Sequence, residues 1–268
     1  MLIGLGSYIF RYAVGTKTFQ HENQLSPLQV VEKASEFGAE VLQFADNLPL
    51  DDLSSKDLKE LKIRANNLNI RLEAGMAGLT KDRLLKNLDI AKQLKTELLR
   101  VATHHDEIEP SIDEIVTILE DVLPEFESSG ISIAIENHFT IPSKDLVTII
   151  ERVDSPLVGI CLDTGNNIAQ MEWPHETTEI LAPYVISLHL KDFYLSMEPN
   201  GLGVNVRGRT LRENDDYVKF HIDTVKKYRD DFNIILEQWM PAENTVKETL
   251  AKEEAWIKEN IRISRQYL

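Results

Sequence analysis

At 268 residues the chain can form one large domain or two small ones, and its 43% apolar content can fill a sizeable core. A net charge of −15 sets up a field that repels a phosphate backbone, which disfavours a general nucleic-acid binder. The lone cysteine, Cys161, excludes an intrachain disulfide, and no apolar run has the length of a membrane span, so a cytoplasmic protein without membrane contact is the expectation.

Residues 2–6 read as a first buried strand, because the apolar start of the chain lacks the basic residues of a signal peptide. A helix follows with Leu28, Val31, Ala34 and Phe37 on one stripe. Ser26 begins it, Pro27 occupies its first turn, Gln29 completes a capping box and Gly38 follows its end. Residues 40–44 form the second strand. Leu58, Leu61, Ala65 and Leu68 mark a helix behind Ser54, and 70–74 is the third strand. Leu84, Leu88, Ala91 and Leu94 mark the next helix behind Thr80, then 98–102 is the fourth strand. The following helix starts at Ser111 with Glu114 as box partner, carries Ile115, Ile118, Val122 and Phe126, and contains Pro124, a kink position. Strand 131–136 leads to a helix from Ser143 with Leu146, Ile149, Ile150 and Val153. Strand 158–163 precedes a short helix near 176–181. Strand 185–190 precedes a polar loop, 193–214, and a helix near 216–228. Strand 233–237 precedes the longest helix, roughly 243–264.

The strand runs are mostly near-continuous apolar segments, as expected of parallel strands covered on both faces. Eight strand–helix alternations predict an α/β fold, a (β/α)₈ TIM barrel spanning 1–268 as one domain. A doubly wound sheet is the competing architecture, but Ser7 and Tyr8 follow Gly4 and Gly6 where its glycine-rich fingerprint would stand.

Four phrases carry the chemistry: Ile135-Glu136-Asn137-His138, Leu162-Asp163-Thr164-Gly165-Asn166, Leu188-His189-Leu190-Lys191-Asp192 and Leu236-Glu237-Gln238-Trp239. Each places an acid or imidazole at the C-terminal end of a strand, where barrels carry their active sites. Glu136, Asp163, His189 and Glu237 therefore converge. Three carboxylates around nothing would repel one another, and one divalent cation (Mn²⁺, Mg²⁺, Co²⁺ or Zn²⁺) removes that repulsion. His138, Asn166 and Lys191 are candidate substrate contacts beside them. Asp192 is placed to pair with Lys191 or to fix a ligand. Arg207, Arg209 and Arg212 crowd the long seventh loop, with Arg207 the strongest candidate for gripping hydroxyls, a carboxylate or a phosphate. Tyr8, Phe10, Gln43, Asp46, Glu73 and the His104-His105 pair stand near the other strand ends. Tyr8 and Glu73 are the candidate substrate contacts among them.

In order and spacing these phrases resemble the xylose isomerase-like TIM-barrel family of sugar isomerases, epimerases and related dehydratases, over nearly the whole chain. The resemblance implies that Glu136, Asp163, His189 and Glu237 hold the metal. It also implies that Glu136 and Glu237 move the proton, as in the ketose 3-epimerase branch. The family's usual Gly-x-Gly-type turn in the seventh loop is replaced by Leu211-Arg212-Glu213-Asn214.

The expected activity is a metal-dependent isomerase or epimerase of a small sugar or sugar phosphate, working through an enediolate. A dehydratase of a keto-inositol or related ring substrate on the same site is the alternative. An endonuclease IV-type nuclease shares the fold, but it needs more histidines for three metals than the seven present, and a basic surface. A non-catalytic barrel would leave buried acids unpaired. The partner expected is a small carbohydrate. An exposed face on the last helix is compatible with a homo-oligomer.

Overall fold

Eight parallel strands close into a barrel in the order β1-β10-β7-β6-β5-β4-β3-β2, with helices on the outside. The structure, a computed structural model, describes residues 1–268, with Glu213 described by its backbone alone. The barrel strands are β1 Ile3–Gly6, β2 Val41–Gln43, β3 Arg71–Ala77, β4 Leu98–Ala102, β5 Ser132–Glu136, β6 Val158–Asp163, β7 Val185–Leu190 and β10 Asn233–Leu236. Pairing sets Glu136 beside Cys161 and Asp163 beside His189, so the acid-bearing strand ends lie at one mouth.

The helices are α1 Arg11–Val14, α2 Pro27–Glu36, α3 Ser55–Asn67, α4 Lys81–Leu94, α5 Ile112–Ser129, α6 Ser143–Val153, α7 Pro174–Leu181, α8 Asp215–Lys226 and α9 Val246–Ser264. Their starts follow the sequence signals. Ser26, Ser54 and Ser111 each close a capping box, and Thr80 and Thr245 each accept from the third residue on. α5 runs unbroken through Pro124. α6 departs from expectation: Pro142 is its cap residue, and the Ser143 hydroxyl turns to the Glu172 carboxylate. Among the described residues no helix is long and apolar enough to cross a membrane.

The segment expected as a polar loop after β7 is a β-hairpin, β8 Asp192–Met197 paired antiparallel with β9 Val204–Arg209. Phe193, Leu195 and Met197 face Gly208, Val206 and Val204 across it. That period-two pattern is broken up by Asn205, Arg207 and the intervening turn, and so reads as polar along the sequence.

The main core lies between the barrel's outer surface and the helices. Leu42, Leu72, Leu99, Ile135, Leu162 and Leu188 meet Val31, Leu61, Leu88, Leu119 and Ile149, all of them buried. The lumen is different. Barrel interiors are ordinarily packed with branched aliphatic side chains. Here Gln43, Glu73, Arg100, Ser187 and His189 are buried within it. Small residues make the room: a Cβ on Gly75 would stand 3.4 Å from Arg100 Cδ and collide with the Phe44 carbonyl oxygen.

Candidate active site

The four strand-end groups come together. His189 Nδ1 lies 3.3 Å from Glu237 Oε1, 3.8 Å from Glu136 Oε2 and 3.9 Å from Asp163 Oδ2. Ligand atoms of Asp163, His189 and Glu237 all lie within 4.8 Å of one another. Gly6 clears space for the last of these: a Cβ there would sit 3.2 Å from Glu237 Oε1.

The residues fit a divalent cation. His189 Nε2 stands 2.6 Å from Gln43 Oε1, an oxygen that can only accept, so Nε2 carries the proton. Nδ1 is buried and, among the described residues, has no hydrogen-bond partner. An imidazole nitrogen turned bare toward three carboxylates is the donor set of an oxygen-rich site with one nitrogen ligand.

Two buried cations share the cluster. Arg100 Nε donates to Glu136 Oε2, and its Nη1 reaches Asp46 Oδ1 at 3.5 Å. Lys191 Nζ donates to Glu237 Oε2 at 2.9 Å and forms an ion pair with Asp163 Oδ2 at 2.8 Å. Asn166 Nδ2 donates to Glu136 Oε1 at 2.8 Å. Four acids, Asp46 with Glu136, Asp163 and Glu237, face two bases, which leaves two negative charges uncompensated.

Burial pushes the Glu136 carboxyl up, but the Arg100 guanidinium holds it well below the usual carboxylate range. Burial acts likewise on Glu237, where the Lys191 ammonium brings it below its ordinary value. Asp163 is pushed up by burial, with Glu237 and Glu136 adding to the shift against Lys191. Burial favours loss of the Lys191 proton, and Asp163 and Glu237 more than offset that, so it stays an ammonium.

Above the cluster opens a cavity of about 540 Å³. Glu136, His138, Asn166, Lys191 and Glu237 line it, with Tyr8, whose hydroxyl donates to Asp46 Oδ2 at 2.7 Å. His104 and His105 line it as well. Trp239 roofs Lys191, with Nζ 4.6 Å from a ring centre, and stacks on Phe139.

Other candidates stand elsewhere. Glu73 is in the lumen below the cavity, accepting from Gln43 Nε2 at 2.8 Å and Asn233 Nδ2 at 2.7 Å, and does not line the cavity. Arg207 is exposed on β9, donates to Ser196 Oγ and is also outside the lining. Arg209 pairs with Asp192, which therefore does not pair with Lys191, and Arg212 reaches Glu259. Phe10 belongs to the core. Arg100 was not among the sequence candidates; its signal was a lone charge inside an otherwise apolar strand.

Comparison with known proteins agrees with this architecture. The family model described as xylose isomerase-like TIM barrel matches residues 31–267. A 3-oxo-isoapionate decarboxylase from Pectobacterium atrosepticum is 33% identical over 262 residues, 97% of this chain and 94% of that protein. D-Psicose 3-epimerase from Clostridium cellulolyticum H10, solved with D-tagatose, superposes with a TM-score of 0.71 at 16% identity, covering 99% of both chains. A xylose isomerase-like TIM-barrel protein from Mycobacterium smegmatis in complex with magnesium does so with a TM-score of 0.67 at 15% identity, covering 98% of this chain and 97% of that one.

Proposed function

The chain belongs to the xylose isomerase-like TIM-barrel family, and from that premise we propose that it decarboxylates a small hydroxylated 3-oxo acid. The observation that carries this reading is the commitment of both candidate bases to cations. Glu136 has one oxygen on Arg100 and the other on Asn166, and Glu237 has an oxygen on Lys191. Abstraction of a carbon-bound proton favours a carboxylate of raised basicity, and these two are held below the ordinary range. Decarboxylation needs no base. The bond between the α-carbon and the carboxylate breaks, its electron pair passes into the 3-oxo group as an enolate, CO₂ leaves, and the α-carbon takes up a proton. The relative that is 33% identical supports the same reaction class.

Glu136, Asp163, His189 and Glu237 would hold the divalent cation, which when bound draws developing negative charge onto substrate oxygens. Lys191 and Arg100 supply fixed positive charge at the cavity floor, where the enolate forms. Tyr8 and His138 line the same cavity and are placed to deliver the proton. Phe139 and Trp239 shield the site from water.

A second reading, epimerisation or isomerisation of a sugar, is favoured by Glu237 Oε1, which accepts no hydrogen bond among the described residues. Product mass separates the readings. Incubation with hydroxylated 3-oxo acids and, separately, ketoses and keto-inositols in deuterated buffer is expected to release CO₂ from the acids and leave one deuterium in the product. Deuterated ketose of otherwise unchanged mass, with no CO₂ from any acid, would replace the proposal with the second reading. Loss of water would point to dehydration.

A further inference from the structure

A chain of hydrogen bonds runs through the lumen from the ligand cluster to the opposite side of the barrel. Glu73 on β3, Gln43 on β2 and His189 on β7 are its members, and all three are buried. We propose that Glu73 is a positioning residue: through the Gln43 carboxamide it sets the tautomer of His189 and keeps Nδ1 bare toward Glu136, Asp163 and Glu237. The inference rests on reading those four residues as ligands of a divalent cation.

Burial pushes the Glu73 carboxyl up, and the Asn233 and Gln43 amides that donate to it draw it back; as a carboxylate it only accepts. Glu73 Oε2 accepts from Gln43 Nε2 at 2.8 Å, and Glu73 Oε1 accepts from Asn233 Nδ2 at 2.7 Å. Both oxygens are thus committed to amide donors, and the NH₂ end of Gln43 is pinned toward Glu73. Its oxygen must then face His189 Nε2, 2.6 Å away. That oxygen requires a proton on Nε2, and in the neutral imidazole Nδ1 then carries none.

A turn of the Gln43 amide by half a revolution has the same shape and the opposite consequence. Its NH₂ would meet Nε2, and the imidazole proton would move to Nδ1, where Glu237 Oε1 at 3.3 Å would accept it. The turned arrangement satisfies the ring nitrogen that is now without a partner, but it replaces the metal-facing lone pair with a proton. Nothing in the shape of Gln43 selects between the two. Glu73 does, by accepting and never donating. Groups that orient metal-ligating histidines through their second nitrogen typically change metal affinity by about 10- to 100-fold when removed.

Nitrogen-15 histidine labelling of the metal-free protein reads the tautomer directly, with the His189 signal identified by its loss in His189→Gln. Manganese affinity is measured separately by calorimetry. The wild type is expected to carry its proton on Nε2. Glu73→Leu removes the acceptor, so the Gln43 amide turns, the proton appears on Nδ1 and Mn²⁺ affinity falls about tenfold or more. Glu73→Gln keeps the shape should the leucine variant fail to fold. One carboxamide cannot accept from both Gln43 and Asn233, so mixed tautomers and an intermediate loss of affinity are expected. A proton on Nδ1 in the wild type, or an unchanged Nε2 tautomer in every variant that folds, overturns the proposal. A wild type with the Nε2 tautomer that takes up none of Mn²⁺, Mg²⁺, Co²⁺ or Zn²⁺ removes the metal reading and leaves the relay standing.

Discussion

Lys191 does at one atom what a bound cation would do for the whole cluster. Its ammonium lies within 2.9 Å of both Asp163 and Glu237, with 4% of the side chain exposed. Lys191→Met leaves two carboxylates facing each other without it. Breaking a buried pair by removing one partner costs about 3–5 kcal/mol, which for a chain of this length is a fall in Tm of roughly 10 °C. Added Mn²⁺ is expected to raise the Tm of the variant more than that of the wild type, because it replaces charge the variant lacks. Calorimetry with and without Mn²⁺ checks both, and a variant as stable as the wild type in chelator would show that the ammonium contributes nothing. The convergence of Glu136, Asp163, His189 and Glu237 was legible in the sequence because each stands at or next to the end of a strand, a position fixed by the apolar run before it. Arg100 was not, because it sits inside such a run and is satisfied by partners from β3, β5 and the β2–α3 connection. Glu73 misled for a related reason. β3 continues to Ala77, so a residue expected at the strand's mouth is carried down into the lumen.

At the scale of elements, the hairpin after β7 backs the cavity wall at Trp239 by one close approach. A Cβ on Gly208 would stand 2.3 Å from the Trp239 carbonyl oxygen and 2.8 Å from its Cβ. Nothing there is a flexible side-chain end, so β9 or the β10–α9 segment must move in Gly208→Ala. Trp239 covers Lys191 and packs on Phe139 and Phe193, so displacing it opens the site to water. The expected result is a loss of about 1–3 kcal/mol in stability, as for overpacking elsewhere, with turnover falling at least tenfold. Denaturant titration and steady-state kinetics read the two separately, and unchanged kinetics would mean that the hairpin does not hold Trp239 in place over the site. The barrel itself was legible because its strands are buried on both sides and its helices carry explicit caps. The hairpin was not, because only one of its faces is apolar, and Leu195, Met197, Val204 and Val206 remain exposed on it.

For the whole molecule, two groups outside the cavity lining set opposite slopes of stability against pH. His221, on α8 against Thr178 of α7, is pushed down to about 3, first by burial and then by His175. Its folded value lies below the unfolded one near 6.5, so the unfolded chain binds the extra proton, and stability is lost as pH falls from about 6.5 toward 3. Glu253, on α9, is pushed up to about 7 by burial, although the backbone N–H groups of Tyr12 and Ala13 donate to it and draw it back. Here the folded chain holds the extra proton, so stability is lost as pH rises from about 4.5 to 7. Between about 4.5 and 6.5 the two slopes oppose each other at about 1.4 kcal/mol per pH unit each. The remaining groups are common to the wild type and its variants, so differences between proteins isolate each contribution. Relative to the wild type, Glu253→Gln is expected to gain stability with rising pH across this window, and His221→Asn to lose it. Urea titrations at pH 5 and pH 6.3 give the slopes, and parallel curves for all three proteins would mean that neither group changes its proton affinity on folding.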